Sequence, residues 1–564
     1  MMASARESRF STPPRYLAQL PWIGPILGER FGASGTRLVR LAAAADPLLG
    51  SPLAVVFLPV KKETARPERL VPLHAGWVVP IEADGSAGFQ LHAPEKFWDG
   101  EAHGVLMVLL YDRSTVLYEP ATGKASNRIF PDNLPGQIQH LSEGKATVDG
   151  PIPVPDLPGP IREEIERRVR RLLEAPRDEL ELGLIELERE IAPSTQEPRE
   201  TTFAVASCQY PAGFLDRDVA ESSYRRIAHF LSGKGAGALQ CLVLLGDQVY
   251  VDATAGLFDP SAEFDRFGLP YERLLRTEPL RQVLRRVPLY AMLDDHEIQD
   301  NWEPGDADPR SAENLRLGHK SYLRYQRMAG PPQVPASGDS QDPLWYEFDA
   351  SGLPFFMADT RTERGTRTAQ TIADACIMRP SQFDALLEWL DRQNQQKGDT
   401  PKFIASPASF LPRHRRAAQH GQPASALRSD GWDGYPSSFY RLLTHIAAKD
   451  IRNVIFLSGD EHVSFVVSAD ITDKATGKVT RIRSIHSSGL YSPFPFANSV
   501  AESLCFEDDF EFGDYRCQVA RLEVMPGDGF ALLRVSGEPG AWSVRCCFDR
   551  ASDTKAGGAW INVV

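Results

Sequence analysis

Short apolar runs separated by turn-forming residues mark the early part of the chain. AVVFLPV, GWVVPIE, GVLMVLLYD and STVLYEP fall between residues 53 and 148, with Gly, Pro, Asp and Asn between them. Runs of this length and spacing predict an antiparallel β domain. The stretch GPIPVPDLPGP ends it, because each proline fixes φ and removes a ladder donor. Beyond Pro160, apolar Ile161, Ile165, Val169, Leu172 and Leu173 recur at helical spacing, with charges on the opposite face. DELELGLIELEREIA, after Pro176, supplies a second helix, so residues 160–192 are expected to form a helical hairpin.

The pattern changes at Thr201. TTFAVASCQ, QCLVLLGDQVY, VPLYAMLDDHE, LPFFMADTRTER, PKFIASPASF and RNVIFLSGDEH are short, continuous apolar runs that end in polar residues, with a helix expected over 222–231. Continuous apolar strands are those covered on both faces, and the C-terminal edge of such a parallel sheet is where ligands bind. Strand patterns follow beyond Arg481 in RIRSIHSSGL, QVARLEVMPG, GFALLRVSG and AWSVRCCFD. The chain therefore reads as a β-rich domain (1–150), a Pro-rich linker with a helical hairpin (151–200), and a catalytic domain of mixed α and β structure (201–564).

Charge narrows the function. Lys and Arg number 62 against 75 Asp and Glu in 564 residues, a net charge of −13. Proteins that bind nucleic acid by releasing counterions gather a basic face. The longest basic cluster here, 162–171, alternates with glutamates, so no nucleic-acid-binding surface is expected. Seven scattered cysteines make no disulfide framework. Cys546 and Cys547 are expected on opposite faces of one strand, in the core. No segment has the roughly 18 apolar residues of a membrane span. Charges and prolines interrupt every apolar run at the N-terminus, so no signal peptide is read. The expected location is cytoplasmic, or exported if a leader preceded these residues.

Three strand ends carry the candidate chemistry: GDQVYVD at 246–252, DDHEIQDNW at 294–302 and SGDEHVS at 458–464. A carboxylate at a sheet edge must be solvated, paired or metal-bound. Carboxylates packed together repel unless cations compensate. An Asp and a His one residue apart, as in Asp460 and His462, can turn to a common point on a strand-to-loop bend, which suits a divalent or trivalent metal. No GxSxG elbow and no GxxxxGK[ST] loop is present, which leaves elbow-serine acyl transfer and ATP-driven reactions without support.

In the order ASCQ, GDQVY, DDHEIQDNW, ADTRTER, SDGWDGYP and LSGDEHVS, these motifs resemble the PhoD-type alkaline phosphatases. That family is a branch of the calcineurin-like metallophosphoesterases, related in site chemistry to the purple acid phosphatases. The resemblance covers roughly 201–500. It implies a four-layer sandwich of two mixed β-sheets flanked by helices, preceded here by the β-rich domain. It also implies hydrolysis of phosphate monoesters, diesters or both by a hydroxide bridging a dinuclear or multinuclear metal centre.

Placed on matching positions, the resemblance implies Cys208 as an iron ligand, Asp247 as the bridge between metals and Tyr250 as a tyrosinate on iron. Asp295 and Asp460 would bind the second metal and His462 the iron. A tyrosinate needs a strongly Lewis-acidic ion and a carboxylate set suits a hard one, which implies Fe(III) plus Ca(II), with Mn, Mg or Zn as alternatives. His296 would be catalytic, with Glu297 orienting its ring, and Arg361 the phosphate clamp. Candidate substrate contacts are Asn301, Arg364, Asp433 and His486. The expected partner is a small phosphorylated substrate; the oligomeric state is left open. The alternative reading is a non-catalytic metal- or phosphate-binding protein acting through its N-terminal β domain.

Overall fold

The structure is a computed structural model. It describes residues 200–564 apart from 213–215, 233–238, 253–265, 276, 285–286, 306–308, 328–342, 419–422, 494–500 and 555–556. Before residue 200 it describes the strands, the 3-10 helix Val154–Asp156 and a few residues between 157 and 167, several of them helical. The chain divides into two compact units, one of Met1–Ala192 with Leu284–Arg286 and the other of Pro193–Val283 with Val287–Val564.

The first unit holds nine strands among its described residues: β1 (Trp22–Phe31), β2 (Thr36–Ala43), β3 (Ser51–Glu63), β4 (Arg66–Pro72), β5 (Trp77–Pro80), β6 (Ser86–Leu91), β7 (Gly104–Asp112), β8 (Ile152–Pro153) and β9 (Leu182–Glu186). One sheet has the order β1-β2-β6 and the other β8-β5-β3-β7-β9, with β4 on β3. All their pairings are antiparallel. The STVLYEP run lies outside the described residues, as does most of the first expected helix. The second expected helix is corrected: 182–186 is strand β9, antiparallel to β7. Gly183 weakens a helix at its middle, and pairing to β7 satisfies its backbone in a ladder instead.

The second unit is built on two mixed sheets. The first has the order β12-β11-β10-β22-β23-β24, where β10 is Glu200–Gln209, β11 Leu239–Leu245, β12 Leu289–Met292, β22 Gly529–Ser536, β23 Ser543–Arg550 and β24 Ile561–Asn562; β19 (Gly489–Tyr491) pairs with the end of β10. The second has the order β13-β14-β15-β16-β18-β17-β21-β20, where β13 is Tyr346–Ala350, β14 Leu353–Met357, β15 Lys402–Ala405, β16 Val454–Ser458, β17 Val463–Asp473, β18 Val479–His486, β20 Asp508–Phe512 and β21 Tyr515–Pro526. Strands β10, β11 and β12 run parallel, as do β14, β15, β16 and β18. The apolar runs thus build two sheets rather than a single parallel one.

Side-chain alternation explains how both faces of each run are used. Phe355, Met357, Phe403, Ala405, Ile455 and Leu457 point into a core shared with Phe203, Val205, Val243 and Leu245 of the other sheet. Their sequence neighbours Phe356, Ile404 and Phe456 point the opposite way, onto Leu386, Trp389, Phe439 and Leu442 of the helices Pro380–Lys397 and Pro436–Ala448. Period two with both faces apolar gives a run without polar breaks. Phe203 meets Phe355 and Phe403 edge-on at 5.2 Å between centroids, and Phe355 stacks on Phe403 at 4.7 Å, geometries that aromatic quadrupoles favour. The two faces are therefore locked in register, and the parallel strand ends open on one side of the unit. No helix among the described residues is long and apolar enough to cross a membrane.

Candidate metal centre

Five of the parallel strands deliver chemistry at or just beyond their C-terminal ends: Cys208 at the end of β10, Asp247 after β11, Asp294 to Glu297 after β12, Arg361 after β14, and Asp460 with His462 after β16. Four of these residues sit in the left-handed region without being glycine: Cys208 (φ 51°), Asp247 (57°), Asp460 (80°) and His462 (52°). Such conformations cost on the order of 1–3 kcal/mol each and persist only where surrounding contacts dictate them. Here a sharp bend at the strand end turns the side chain inward. Gly246 takes φ 82°, and any side chain on it would collide with Asp294. The two ligand-bearing loops therefore approach at van der Waals distance.

Three groups of potential ligand atoms, each within 4.8 Å of one another, share Asp247: Cys208, Asp247 and His462; Asp247, Asp295 and His296; and Asp247, Asp294, Asp295 and Asp460. Cys208 Sγ is 3.5 Å from Asp247 Oδ2. Tyr250 OH lies 3.4 Å from His462 Nε2, and Ser492 Oγ holds the other ring nitrogen, Nδ1, at 3.1 Å. The structure thus brings together all six residues expected as metal ligands, and adds Asp294.

The electrostatics ask for cations. Asp294 Oδ2 is buried without a hydrogen bond, and Asp295 Oδ1 has the 3.5 Å approach of Arg361 Nη2 in place of one, a costly state for carboxylate oxygens. Burial, then the neighbouring carboxylate Asp295, pushes the Asp247 carboxyl well up. Burial and Asp294 do the same to Asp460, and burial drives Asp294 up to about 6 against the pull of Arg361. Burial and Asp247 raise the Cys208 thiol; burial and Cys208 raise the Tyr250 phenol. Buried carboxyls pushed up by burial and by one another fit a site whose positive charge comes from metal ions.

Three expected roles are corrected by the contacts. Glu297 does not touch the imidazole it was expected to orient. Its Oε2 accepts from the amides of Asp247 and Asp294 at 2.9 Å each, and its Oε1 from the amide of Gln248 at 2.7 Å and Gln326 Nε2 at 3.2 Å. It ties the two ligand loops together by their backbones. Arg361 is fully buried and faces carboxylates, with Nε donating to Asp294 Oδ1 at 2.5 Å, Nη2 to Asp430 Oδ2 at 2.6 Å, and Nη2 at 3.5 Å from Asp295 Oδ1. A guanidinium so enclosed has its donors engaged by carboxylates and by the Trp302 carbonyl. Arg364 is buried too, bonded to Thr360 O at 2.5 Å and to both the carboxylate and the carbonyl of Asp430. Together the two arginines hold Asp430 well below the usual carboxylate range, overcoming its burial.

Two of the expected substrate contacts are likewise enclosed. His486 is fully buried, with Nδ1 3.1 Å from Ser458 Oγ and Nε2 accepting from the Glu461 amide at 3.2 Å; burial pushes it down to about 3. Asp433 accepts from the His414 amide at 2.7 Å and from Ser429 Oγ. Asn301 is the exception. It is exposed, its amide donates to Asp295 Oδ2 at 2.6 Å, and its Nδ2 donates to Asp300 at 2.9 Å.

His296 is partly exposed, and its Nδ1 lies 3.0 Å from both oxygens of Asp252. The Tyr250 ring lies over the imidazole at 4.1 Å between centroids. Burial would push His296 down, but Asp247, Asp252 and Asp295 outweigh it and raise it to about 11. Asp252, closing the GDQVYVD motif, was visible as one more acid; what the sequence could not show is that it faces His296.

A pH dependence follows for the metal-free protein. A carboxyl whose folded pKa is raised binds its proton more tightly folded than unfolded, so the penalty is absent below the unfolded value near 4 and complete above the folded one. Asp294 at about 6 and Glu297 at about 7, raised chiefly by burial, set the window at about pH 4–7. His296 adds the same sign from about 6.5 upward. Protein stripped with chelator is expected to melt several degrees lower at pH 8 than at pH 5, and added metal should flatten that slope. Equal melting temperatures at the two pH values would show that the carboxylates are not forced together.

A family model described as PhoD-like phosphatase matches residues 203–504. A solved structure, titled "Structure of PhoD", is similar with a TM-score of 0.53 and 15% identity, covering 98% of this chain and 89% of that one. At that identity the likeness speaks for the fold. No curated protein matches the chain.

Proposed function

The chain belongs to the PhoD-like phosphatases and is a phosphoric ester hydrolase, and from that premise we propose that its strand-end cluster is a metal centre of at least two cations sharing Asp247. The observation that carries the reading is the sharing itself: one buried carboxylate common to three ligand groups, beside orphaned carboxylate oxygens. Cys208, Tyr250 and His462 with Asp247 form a thiolate, phenolate and imidazole set suited to Fe(III), and Asp247, Asp294, Asp295 and Asp460 a carboxylate set suited to a hard ion such as Ca(II). When bound, such ions offset phosphate charge and make water a nucleophile at neutral pH.

The chain's own residues do the rest. Arg361 holds Asp294, Asp295 and Asp430 in place. Asn301, exposed beside Asp295, is positioned to donate to a phosphate oxygen. His296, with Nδ1 engaged by Asp252, presents Nε2 for proton transfer. In hydrolysis of the ester, water adds to phosphorus, the P–O bond to the alcohol breaks, and the His296 Nε2 proton passes to the leaving oxygen. The proton released by water restores the imidazolium. This reading places the chemistry in 201–564, outside the β-rich unit whose sheet takes in Ile152–Pro153 and Leu182–Glu186 from the expected linker. The partner is a small phosphorylated substrate.

Metal analysis of purified protein, with turnover of p-nitrophenyl phosphate and bis-p-nitrophenyl phosphate before and after chelation, tests the proposal. Stoichiometric metal, loss of turnover on stripping and its return on reloading are expected. Protein that lacks metal, or that hydrolyses equally well when stripped, refutes it.

A further inference from the structure

The loop Gly459–His462 carries Asp460 and His462 on either side of Glu461, and both ligands take left-handed backbone, at φ 80° and 52°. Because the two strained residues flank one ordinary residue, any rotation at Glu461 changes where Asp460 and His462 point relative to each other. The neighbours of Glu461 account for the loop's shape. Its amide donates to His486 Nε2 at 3.2 Å, and its carboxylate oxygen Oε1 is 2.6 Å from His414 Nε2.

His414 is itself pinned. Its amide donates to Asp433 Oδ2 at 2.7 Å, and its Nδ1 is 2.9 Å from Ser429 Oγ. The Ser429 hydroxyl donates its proton to Asp433 Oδ1, so it accepts from His414 Nδ1. With Nε2 facing a carboxylate and Nδ1 facing an accepting hydroxyl, both ring nitrogens carry protons and the ring is an imidazolium. Burial opposes this charge, but Glu461 and Asp433 outweigh it and hold His414 well above its ordinary range. Charge-assisted hydrogen bonds of this kind are about twice as strong as neutral ones.

We infer that His414 and Glu461 are paired positioning residues that lock the 459–462 loop so that Asp460 and His462 meet the cations. Neither residue belongs to any of the three ligand groups sharing Asp247. Their function is to hold a strained backbone in one conformation. The inference rests on the metal-centre reading above. It draws the SDGWDGYP segment into the site, since Ser429 and Asp433 brace His414 and Asp430 braces Arg361 and Arg364.

Cation affinity is the direct readout. Calcium titration of metal-stripped protein, with iron content of the protein as purified, would be compared for wild type, His414→Gln, Glu461→Gln and the double variant. Outer partners of metal ligands typically change affinity 10–100-fold. Each single variant is expected to weaken calcium binding about tenfold or more, and the double variant no further than the weaker single, because the two act as one unit. Far-ultraviolet circular dichroism and melting of the stripped proteins separate this from misfolding; Glu461→Gln keeps the side chain's shape and an acceptor oxygen. Folded variants with wild-type affinity, or a double variant whose loss is the product of the two singles, would overturn the clamp alone. A wild type that binds no calcium and contains no iron would overturn the metal centre and the clamp with it.

Discussion

Asp247→Asn is expected to cut kcat/KM toward p-nitrophenyl phosphate by about 10³-fold or more, which corresponds to about 4 kcal/mol of transition-state stabilisation, while making the metal-free protein more stable at pH 8. The opposite signs come from one cause. Asp247 is buried among Asp294, Asp295 and Glu297, and its ionised form is costly unless cations neutralise it. Asparagine keeps the shape and tolerates the left-handed backbone that Asp247 adopts at φ 57°, so the fold loses little. What disappears is the charge common to all three ligand groups. Kinetics at saturating metal and melting curves of stripped protein provide the check. Retained activity, or a stripped variant less stable than wild type, would show that Asp247 is a structural strand-end carboxylate.

Asp252→Asn should reveal itself through the leaving group. Asp252 faces His296 Nδ1 with both carboxylate oxygens and also accepts the Asp300 amide. Asparagine preserves much of that packing but withdraws the charge that supports the imidazolium. Proton donation by a placed acid is worth about 10²–10⁴-fold. Turnover of an alkyl phosphate, whose leaving oxygen must be protonated, is therefore expected to fall about 10²-fold or more. p-Nitrophenyl phosphate, whose anion departs without a proton, should lose far less. Metal content should stay unchanged. Equal losses on both esters would remove His296 as the proton donor and leave Asp252 as a loop anchor.

Much of this site is legible along the chain because strand ends are local features. An apolar run followed by Gly and Asp, as at Leu245–Asp247, places a carboxylate at a sheet edge whatever the rest of the molecule does. The helical reading of 178–192 failed at Leu182–Glu186 for the complementary reason: that segment lies in a ladder with β7, a partner about eighty residues earlier in the chain, and pairing outweighed local propensity.

Residue types and their order were enough to single out Cys208, Asp247, Tyr250, Asp295, His296, Asp460 and His462 as candidates, since all lie at the ends of four apolar runs. Which charged group faces which was settled by the closing of two sheets against each other. Arg361 reads as a phosphate clamp in sequence, yet it lies 67 positions from Asp294 and meets it at 2.5 Å. Glu297 sits beside His296 in the chain but spends its carboxylate on the amides of Asp247, Gln248 and Asp294, leaving the imidazole to Asp252, 44 positions away. Side chains adjacent in sequence leave a tight bend in different directions, so the partner of a charge is chosen by the burial that the tertiary packing imposes.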